Sequence, residues 1–305
     1  MSPIPRQPLH SLMLFAATVA LASCASTVKA PPSQLPAAAL SPETLELASP
    51  GNVKFDVQPG SMPGRYGCTV GYEVFSPEQP RTETLVVLAH GFFRNLTNMR
   101  GWARLWASRG VPTVIMSFCN STPFAGNHDR NAEDMRALAE RLHDGPILYA
   151  GFSAGALAAL IAASADPRAV AYLGLDPADR DGLAAPAASR LAVPAFVLLC
   201  EPSSCNSEGN ILPAIPARPG IGIARVLHTV HCMFEDPSDG ACNAVCGSVE
   251  PPQQSAESIA AIRALATAWV LECTGATVGG SAFLAGMWAG DSLWEGRVRV
   301  LQPLR

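Results

Sequence analysis

A serine flanked by small residues is the first feature of this sequence that could do chemistry. Ser153 lies at the centre of Gly-Phe-Ser-Ala-Gly at positions 151–155, between an apolar run at 146–150 and a helix-compatible run at 156–163. A sharp turn from strand to helix would push the serine hydroxyl out of a sheet, where it can act as a nucleophile. The alternative is a Gly/Ser-rich turn without chemistry. A nucleophilic serine predicts a base, an acid and oxyanion donors elsewhere in the chain.

The base must take the serine proton near neutral pH, which favours histidine. Six histidines are present. Four of them lie in the N-terminal segment or before the serine in the chain: His10, His90, His128 and His143. His228 lies within a predicted strand, whereas His231 follows it in a turn-like segment, so we predict that His231 is the base. A metal site built from His228, His231 and nearby carboxylates matches no standard zinc motif.

Two carboxylates could orient the histidine. Asp176 follows the predicted strand at 170–175, and Glu201 follows the strand at 193–199. Polar residues just past the ends of parallel strands gather at the ligand-binding edge of an α/β sheet. Either residue could hold the imidazole tautomer and stabilise its charged form. Each could also be a solvated loop carboxylate, so the residues leave this choice open.

An oxyanion hole needs two N–H donors. The residue after the nucleophile supplies one, which is Ala154, and the loop after an early strand supplies the other. His90-Gly91-Phe92 follows the apolar run at 86–89, and Gly91 would let the backbone turn. We therefore predict the N–H groups of Phe92 and Ala154 as the donors.

Alternating strands and helices must position these residues. The apolar and periodic segments predict strands at 86–89, 111–118, 146–150, 170–175, 193–199 and 224–230, and helices at 96–108, 130–143, 156–163 and 256–272. This alternation predicts an α/β fold in one domain, with a mostly parallel sheet flanked by helices on both faces. The Pro/Gly-rich stretch 202–222 predicts a long excursion above the sheet. The tail 281–305 could cover a sheet edge or be mobile.

The N-terminus predicts export. Arg6 precedes the apolar run 12–22, which has the length of the core of a secretory signal and is too short to span a bilayer. It ends in Leu-Ala-Ser-Cys at Cys24, which resembles the lipobox of bacterial lipoproteins. An ordinary signal cleaved after a small residue is the alternative. We expect a signal at 1–23, a lipid-anchored Ala/Pro-rich tether at 24–50 and the folded domain at 51–305.

Composition and cysteine usage agree with an exported globular protein. The chain has 305 residues, of which 49% are hydrophobic. Its formal net charge of −4 provides no excess of basic residues for binding nucleic acid. Besides Cys24, eight cysteines remain, an even number that suggests disulfides in an oxidising compartment. A metal site at Cys232, Cys242 and Cys246 is the weaker interpretation, because the C-x-x-C knuckles of zinc sites are absent.

The order of the predicted residues in the chain resembles that of α/β-hydrolases. The blocks Leu-Ala-His-Gly-Phe at 88–92 and Gly-Leu-Asp-Pro at 174–177, with the segment 231–236, resemble the chlorophyllase branch and its bacterial dienelactone-hydrolase-like and polyester-hydrolase-like relatives. The resemblance implies Asp176 as the acid. Plant chlorophyllases carry His and Arg beside the nucleophile, whereas this chain has Phe152 and Ala154, so the resemblance does not extend to chlorophyll as substrate.

These patterns together predict a carboxylic ester hydrolase that uses Ser153, His231 and Asp176 and needs no metal or organic cofactor. The expected partners are a small-molecule or lipid ester and, through Cys24, the membrane of a bacterial cell envelope. Two alternatives stay open. One is an acyltransferase or peptidase with the same triad, and the other is a non-catalytic envelope lipoprotein that keeps the fold for binding.

Overall fold

A nine-stranded sheet forms the centre of the fold. The computed structural model describes residues 28–29, 39–122, 125–250, 252–277, 280–291 and 294–304. The strands are β1 (Phe55–Pro63), β2 (Thr69–Pro77), β3 (Leu85–Ala89), β4 (Thr113–Met116), β5 (Ile147–Phe152), β6 (Ala169–Leu175), β7 (Ala195–Leu199), β8 (Ile221–Val226) and β9 (Val298–Gln302). Their order in the sheet is β9-β8-β7-β6-β5-β3-β4-β2-β1. The six strands from β3 to β8 are parallel, which confirms the predicted α/β class and mostly parallel sheet.

Helices cover both faces of this sheet. They are α1 (Pro42–Ala48), α2 (Arg100–Ala107), α3 (His128–Leu142), α4 (Ala154–Ala163), α5 (Ala184–Arg190), α6 (Gly240–Cys246), α7 (Pro252–Thr274) and α8 (Gly280–Trp288). Successive strand residues point to opposite faces. Val86 and Leu88 therefore join a core with α2, α7 and α8, while Val87 and Ala89 join a core with α3, α4 and α5. Burial of both faces explains why β3 is a continuous apolar run.

Two predicted segments differ from the structure. The helix predicted at 96–108 begins as the 3₁₀ turn Leu96–Met99, with Asn95 as its N-cap, before α2 starts at Arg100. The strand predicted at 224–230 was placed too late, since β8 ends at Val226. The chain turns there because the hydroxyl of Thr229 donates to the carbonyl of Val226 at 2.6 Å. His228 lies in this turn with a φ of +57°, so its predicted position inside a strand is wrong.

Both edges of the sheet contain strands that the apolar pattern did not indicate. β1 and β2 form an antiparallel pair at one edge. At the other edge β9, from the C-terminal tail, pairs antiparallel with β8. Helix α8 adds Phe283, Leu284 and Met287 to the core. The described part of the tail therefore covers the sheet edge, one of the two alternatives left by its sequence.

The folded part begins before the boundary predicted at residue 51. Helix α1 falls inside the predicted tether 24–50, with Ser41 as its N-cap and a proline at its first position. Ala48 is buried in the core, and Arg109 donates a hydrogen bond to the carbonyl of Ser49 at 2.8 Å. The Ala/Pro-rich composition gave no signal for this helix. The stability of α1 depends on packing against α7 and the core rather than on a periodic apolar face. The predicted signal 1–23 and Cys24 lie outside the described residues.

Three disulfides join described parts of the chain. They are Cys68–Cys119, Cys205–Cys246 and Cys232–Cys242. They confirm the predicted disulfides, while among the described cysteines Cys200 and Cys273 are free. Disulfides indicate a compartment other than the cytoplasm. Within the described residues, the helices are too short or too polar to cross a bilayer.

Candidate active site

Ser153 occupies a strained turn between β5 and α4. Its φ of 54° and ψ of −119° lie outside the regions that a residue with a Cβ prefers. A Cβ at position 151 would lie 2.3 Å from the backbone of Gly155, and one at position 155 would lie 2.4 Å from the carbonyl oxygen of His90. The turn can therefore form only with glycine at both positions. This geometry lifts the Ser153 hydroxyl above the end of β5.

His231 connects Ser153 to a buried carboxylate. The Nε2 atom of His231 lies 2.9 Å from the Ser153 hydroxyl, and its Nδ1 atom lies 2.5 Å from Oδ2 of Asp176. Asp176 is fully buried, whereas Ser153 and His231 are 7% and 5% exposed. An N–H at Nδ1 donates to the carboxylate, which leaves the Nε2 lone pair free to accept the serine proton. The three side chains form one hydrogen-bonded chain.

The sheet topology explains how residues far apart in sequence meet. β5, β6 and β8 are parallel, and Ser153, Asp176 and His231 all come after the carboxyl ends of these strands. His231 begins the 3₁₀ turn His231–Phe234. The indole of Trp102 fixes that turn by donating to the carbonyl of Phe234 at 3.0 Å.

Glu201, the second possible acid, has a different environment. Its Oε2 atom lies 3.9 Å from Nε of Arg225, and its side chain is 35% exposed. Asp176 instead accepts hydrogen bonds from the Cys200 backbone N–H at 3.0 Å and from the amide of Asn206 at 3.3 Å. The carboxylate in contact with the His231 ring is therefore that of Asp176.

The loop after β3 lies against the serine. A Cβ at position 91 would lie 2.9 Å from the Phe152 ring and 3.2 Å from Cβ of Ser153, so Gly91 permits this approach. Phe92, Ser153 and Ala154 line one cleft of about 170 Å³. The N–H of Ala154 opens α4 and has no acceptor within the helix. Both predicted oxyanion donors therefore belong to residues that border the cleft beside Ser153.

His90 is a structural residue of this loop. Its Nε2 atom accepts from the backbone N–H of Phe118 at 3.0 Å, so the ring proton is on Nδ1, which donates to the carbonyl of Gly91 at 2.7 Å. Burial lowers the pKa of His90 to about 4. A neutral imidazole thus fixes the Gly91 peptide that precedes the Phe92 N–H.

An ion pair joins the same loop to the segment that carries His231. Arg94 binds Glu235 in bidentate fashion, at 2.5 Å from Nε to Oε1 and 2.8 Å from Nη2 to Oε2, and its Nη2 atom also lies 2.8 Å from Asp239. Burial raises the pKa of Glu235, while the adjacent guanidinium opposes that effect. Because the Glu235 side chain is buried, this pair holds the two walls of the site together.

Among the described residues, three clusters of histidine, cysteine or carboxylate side chains have the spacing of a metal site. One combines Cys232, Cys242 and Cys246, and another combines Cys68 and Cys119 with Asp134. The cysteines of both are in disulfides, so their sulfur atoms are not thiolate ligands. The third consists of Asp176, Cys200 and His231, whose donor atoms already bond to one another and to Ser153.

The structure brings together Ser153, Asp176 and His231, with Phe92 and Ala154 beside them. Three features that support the site were not predicted from the sequence: the hydrogen bonds of His90, the ion pair of Arg94, and the contacts of Cys200 and Asn206 with Asp176. None of these has a motif or a spacing that would have signalled it. The prediction of Cys24 as a lipidation site lies outside the described residues.

No protein-family model matches the chain, and no curated protein matches it.

Proposed function

We propose that this protein is a serine carboxylic ester hydrolase with an α/β-hydrolase fold. The observation that carries the proposal is the hydrogen-bonded chain from Ser153 through His231 to Asp176, on a strained turn between strand and helix. The chain order of serine, then aspartate, then histidine is that of α/β-hydrolases. The buried aspartate has the environment of an orienting acid.

In the proposed reaction, the Ser153 oxygen bonds to the ester carbonyl carbon while His231 Nε2 takes the hydroxyl proton. The carbonyl π electrons move to the oxygen, which becomes an oxyanion. When this intermediate collapses, the bond to the alkoxy group breaks, and that group leaves with the proton from His231. Water then attacks the acyl-serine in the same way, losing its proton to His231, and releases the carboxylic acid and the free serine.

The backbone supplies the proposed oxyanion hole. The N–H groups of Phe92 and Ala154 would bind the oxyanion, at the loop that His90 and Gly91 hold against the serine. Preorganised donors of this kind stabilise charge that develops in the transition state. Removing one donor of an oxyanion hole typically slows turnover by about a hundredfold to a thousandfold.

The cleft indicates a small acyl or alcohol group. Its volume is about 170 Å³, and its described walls include His128, Asp179 and Arg180 as well as Phe92. We infer that a short ester reacts faster than a long-chain one. We also propose that the protein is exported and held at the cell envelope by a lipid on Cys24, as the lipobox-like sequence predicts.

A comparison of two serine variants tests the hydrolase. The purified protein should hydrolyse short p-nitrophenyl esters, and Ser153→Ala should lose this activity. Ser164→Ala is the matched control, because Ser164 lies at the opposite end of α4 and donates to Ile161. Full activity in Ser153→Ala would remove Ser153 as the nucleophile. Product analysis with added alcohols would identify an acyltransferase, if an alcohol outcompetes water as the acceptor.

A further inference from the structure

We propose that Asn206 is a positioning residue for the triad acid, holding the Asp176 carboxylate in the orientation in which it binds His231. This inference rests on the proposed hydrolase function. Asn206 lies inside the excursion between β7 and β8 and is 1% exposed. Its Nδ2 atom lies 3.3 Å from each carboxylate oxygen of Asp176. No other side-chain amide in the described part of the chain contacts this carboxylate.

The orientation of the Asn206 amide is determined by its own partners. The Oδ1 atom accepts hydrogen bonds from the backbone N–H groups of Ser203 at 2.9 Å and Gly209 at 3.2 Å. Because an N–H group must bond to an acceptor, the oxygen faces the loop and the NH₂ group faces Asp176. Asn206 therefore donates to the carboxylate. In a flipped amide, the NH₂ group would face the N–H groups of Ser203 and Gly209, and these donors would have no acceptor.

The loop that presents Asn206 is held in a strained conformation. Ser207 and Glu208 have φ values of 52° and 58°, which are costly for residues with a side chain. Glu208 donates its N–H to the carbonyl of Ser203 at 2.8 Å. Cys205, the residue before Asn206, is bonded to Cys246 at the end of α6. Backbone strain of this kind persists only where the surrounding structure enforces it, which favours a positioning role over a chance contact.

Helix α6 also constrains the segment that carries His231. Cys232 follows His231 and is bonded to Cys242 in α6. One helix thus carries disulfides to the neighbour of the proposed base and to the neighbour of Asn206. The position of His231 is consequently coupled to that of Asn206, which contacts Asp176.

A buried carboxylate needs donors to remain charged and in one orientation. Besides His231, Asp176 receives the backbone N–H of Cys200, the Asn206 amide and the Cys200 thiol, whose sulfur lies 2.9 Å from Oδ2. Burial raises the pKa of the Cys200 thiol well above its usual value, so the thiol stays protonated and can donate. Without Asn206, the carboxylate would lose one of its donors and could rotate away from His231, which would weaken its stabilisation of the imidazolium form.

The other charged or titratable groups near this chain are the same in every variant. Glu235, whose charge interacts with His231, binds Arg94. Glu201 has Arg225 as its ion-pair partner. His128, Asp179 and Arg180 line the cleft beside Ser153. A change in the pH dependence of an Asn206 variant, relative to the unsubstituted protein, would therefore originate at Asp176 and His231.

Two variants distinguish the contact of Asn206 with Asp176 from its contacts within its own loop. Asn206→Asp keeps an oxygen that can accept from Ser203 and Gly209 but replaces the NH₂ donor with a second carboxyl oxygen. The added negative charge by itself stabilises the imidazolium of His231, so this variant is used for kcat and not for the midpoints. Asn206→Ala removes both the oxygen and the NH₂ donor. The matched control is Asn120→Ala, because Asn120 also follows a disulfide-bonded cysteine, Cys119, and donates to a buried aspartate, Asp134, outside the triad.

The experiment measures turnover of p-nitrophenyl acetate against pH and, without substrate, the midpoint of the His231 imidazole titration by NMR. For both Asn206 variants we expect kcat to fall about tenfold to a hundredfold, the factor carried by one hydrogen bond to a charged group. KM should stay within about twofold under the same reasoning, since the bond does not contact substrate. In Asn206→Ala, the acid limb of the profile and the NMR midpoint should move to lower pH, because a carboxylate that has rotated away stabilises the imidazolium less. Asn120→Ala should lower stability and leave both midpoints in place.

Unchanged or higher midpoints in Asn206→Ala would overturn the positioning role, and so would an equal shift in Asn120→Ala. If the unsubstituted protein has no turnover, the proposed function fails while the NMR midpoints still test the positioning role. A lower midpoint in Asn206→Ala would then support it, and an unchanged or higher one would refute it.

Discussion

His90 should make the stability of this protein depend on pH. The imidazole is 4% exposed, accepts from the Phe118 N–H and donates to the Gly91 carbonyl. Protonation would place a second N–H against that of Phe118, so the folded state binds the proton weakly. Burial accordingly lowers the pKa of His90 to about 4, from 6.5 in an unfolded chain. We expect the folded protein to lose free energy of unfolding when the pH falls through this interval.

The sign and the size of the effect follow from linkage. The unfolded chain takes up the proton first, below about pH 6.5, whereas the folded protein takes it up only near pH 4. The contribution is therefore complete above the unfolded pKa, decreases as the pH falls, and is gone below the folded pKa. A difference from 6.5 to about 4 corresponds to about 3 kcal/mol.

Urea unfolding at several values between pH 7.5 and pH 4, which bracket this interval, measures the effect. His90→Asn keeps a donor for Gly91 but has no group that titrates, so its free energy of unfolding should fall by about 3 kcal/mol less than that of the unsubstituted protein over this range. His228→Asn is the matched control, because asparagine tolerates the positive φ of that turn. Parallel pH dependences in the unsubstituted protein and His90→Asn would refute the reasoning.

Three further predictions concern the triad, the turn and the disulfides. Asp176→Asn should lower kcat by about 10⁴ because the wrong imidazole tautomer is stabilised. Glu201→Gln should stay within about threefold, because the Glu201 side chain is 35% exposed and its ion pair contributes little; steady-state kinetics that reverse this order would move the acid to Glu201. Gly155→Ala should destabilise the fold by about 1–3 kcal/mol or more by overpacking, since its Cβ would lie 2.4 Å from the His90 carbonyl oxygen. Gly71→Ala is the control for thermal unfolding and should change it little, because no described heavy atom lies within 4 Å of the added Cβ. Reduction of the two disulfides that end on α6 should lower both Tm and kcat, since each closes a loop near the site; reduced protein with unchanged kinetics would contradict the role of α6 in holding the site.

The local patterns predicted much of the fold because it depends on buried parallel strands. Such strands are apolar on both faces and appear in sequence as continuous runs, as at β3 and β5. The outer strands β1, β2 and β9 lack that run, since each alternates or mixes buried with exposed residues. Their place in the sheet is determined by long-range pairing, which leaves a weak local signal.

The turn at Ser153 was predictable for the same reason. Its requirements are local: a strand before, a helix after, and no Cβ at positions 151 and 155. The place of His231 after a strand was also informative, since the structure brings it to Ser153, although the end of β8 was misplaced. Helix α1 was missed because it is short and depends on its contact with the core.

The class of fold, the turn at Ser153 and a short list of its possible partners could be read from the residues alone, because these depend on local geometry and on residue type. Which carboxylate contacts His231 became visible in the packing, since Asp176 and Glu201 both follow strands and Asp176 is the one that faces the imidazole. The packing also shows which cysteines pair and that Cys200 and Asn206 surround the Asp176 carboxylate. Contacts between residues tens of positions apart depend on how strands and loops align in space, and that alignment has no local signature in the chain.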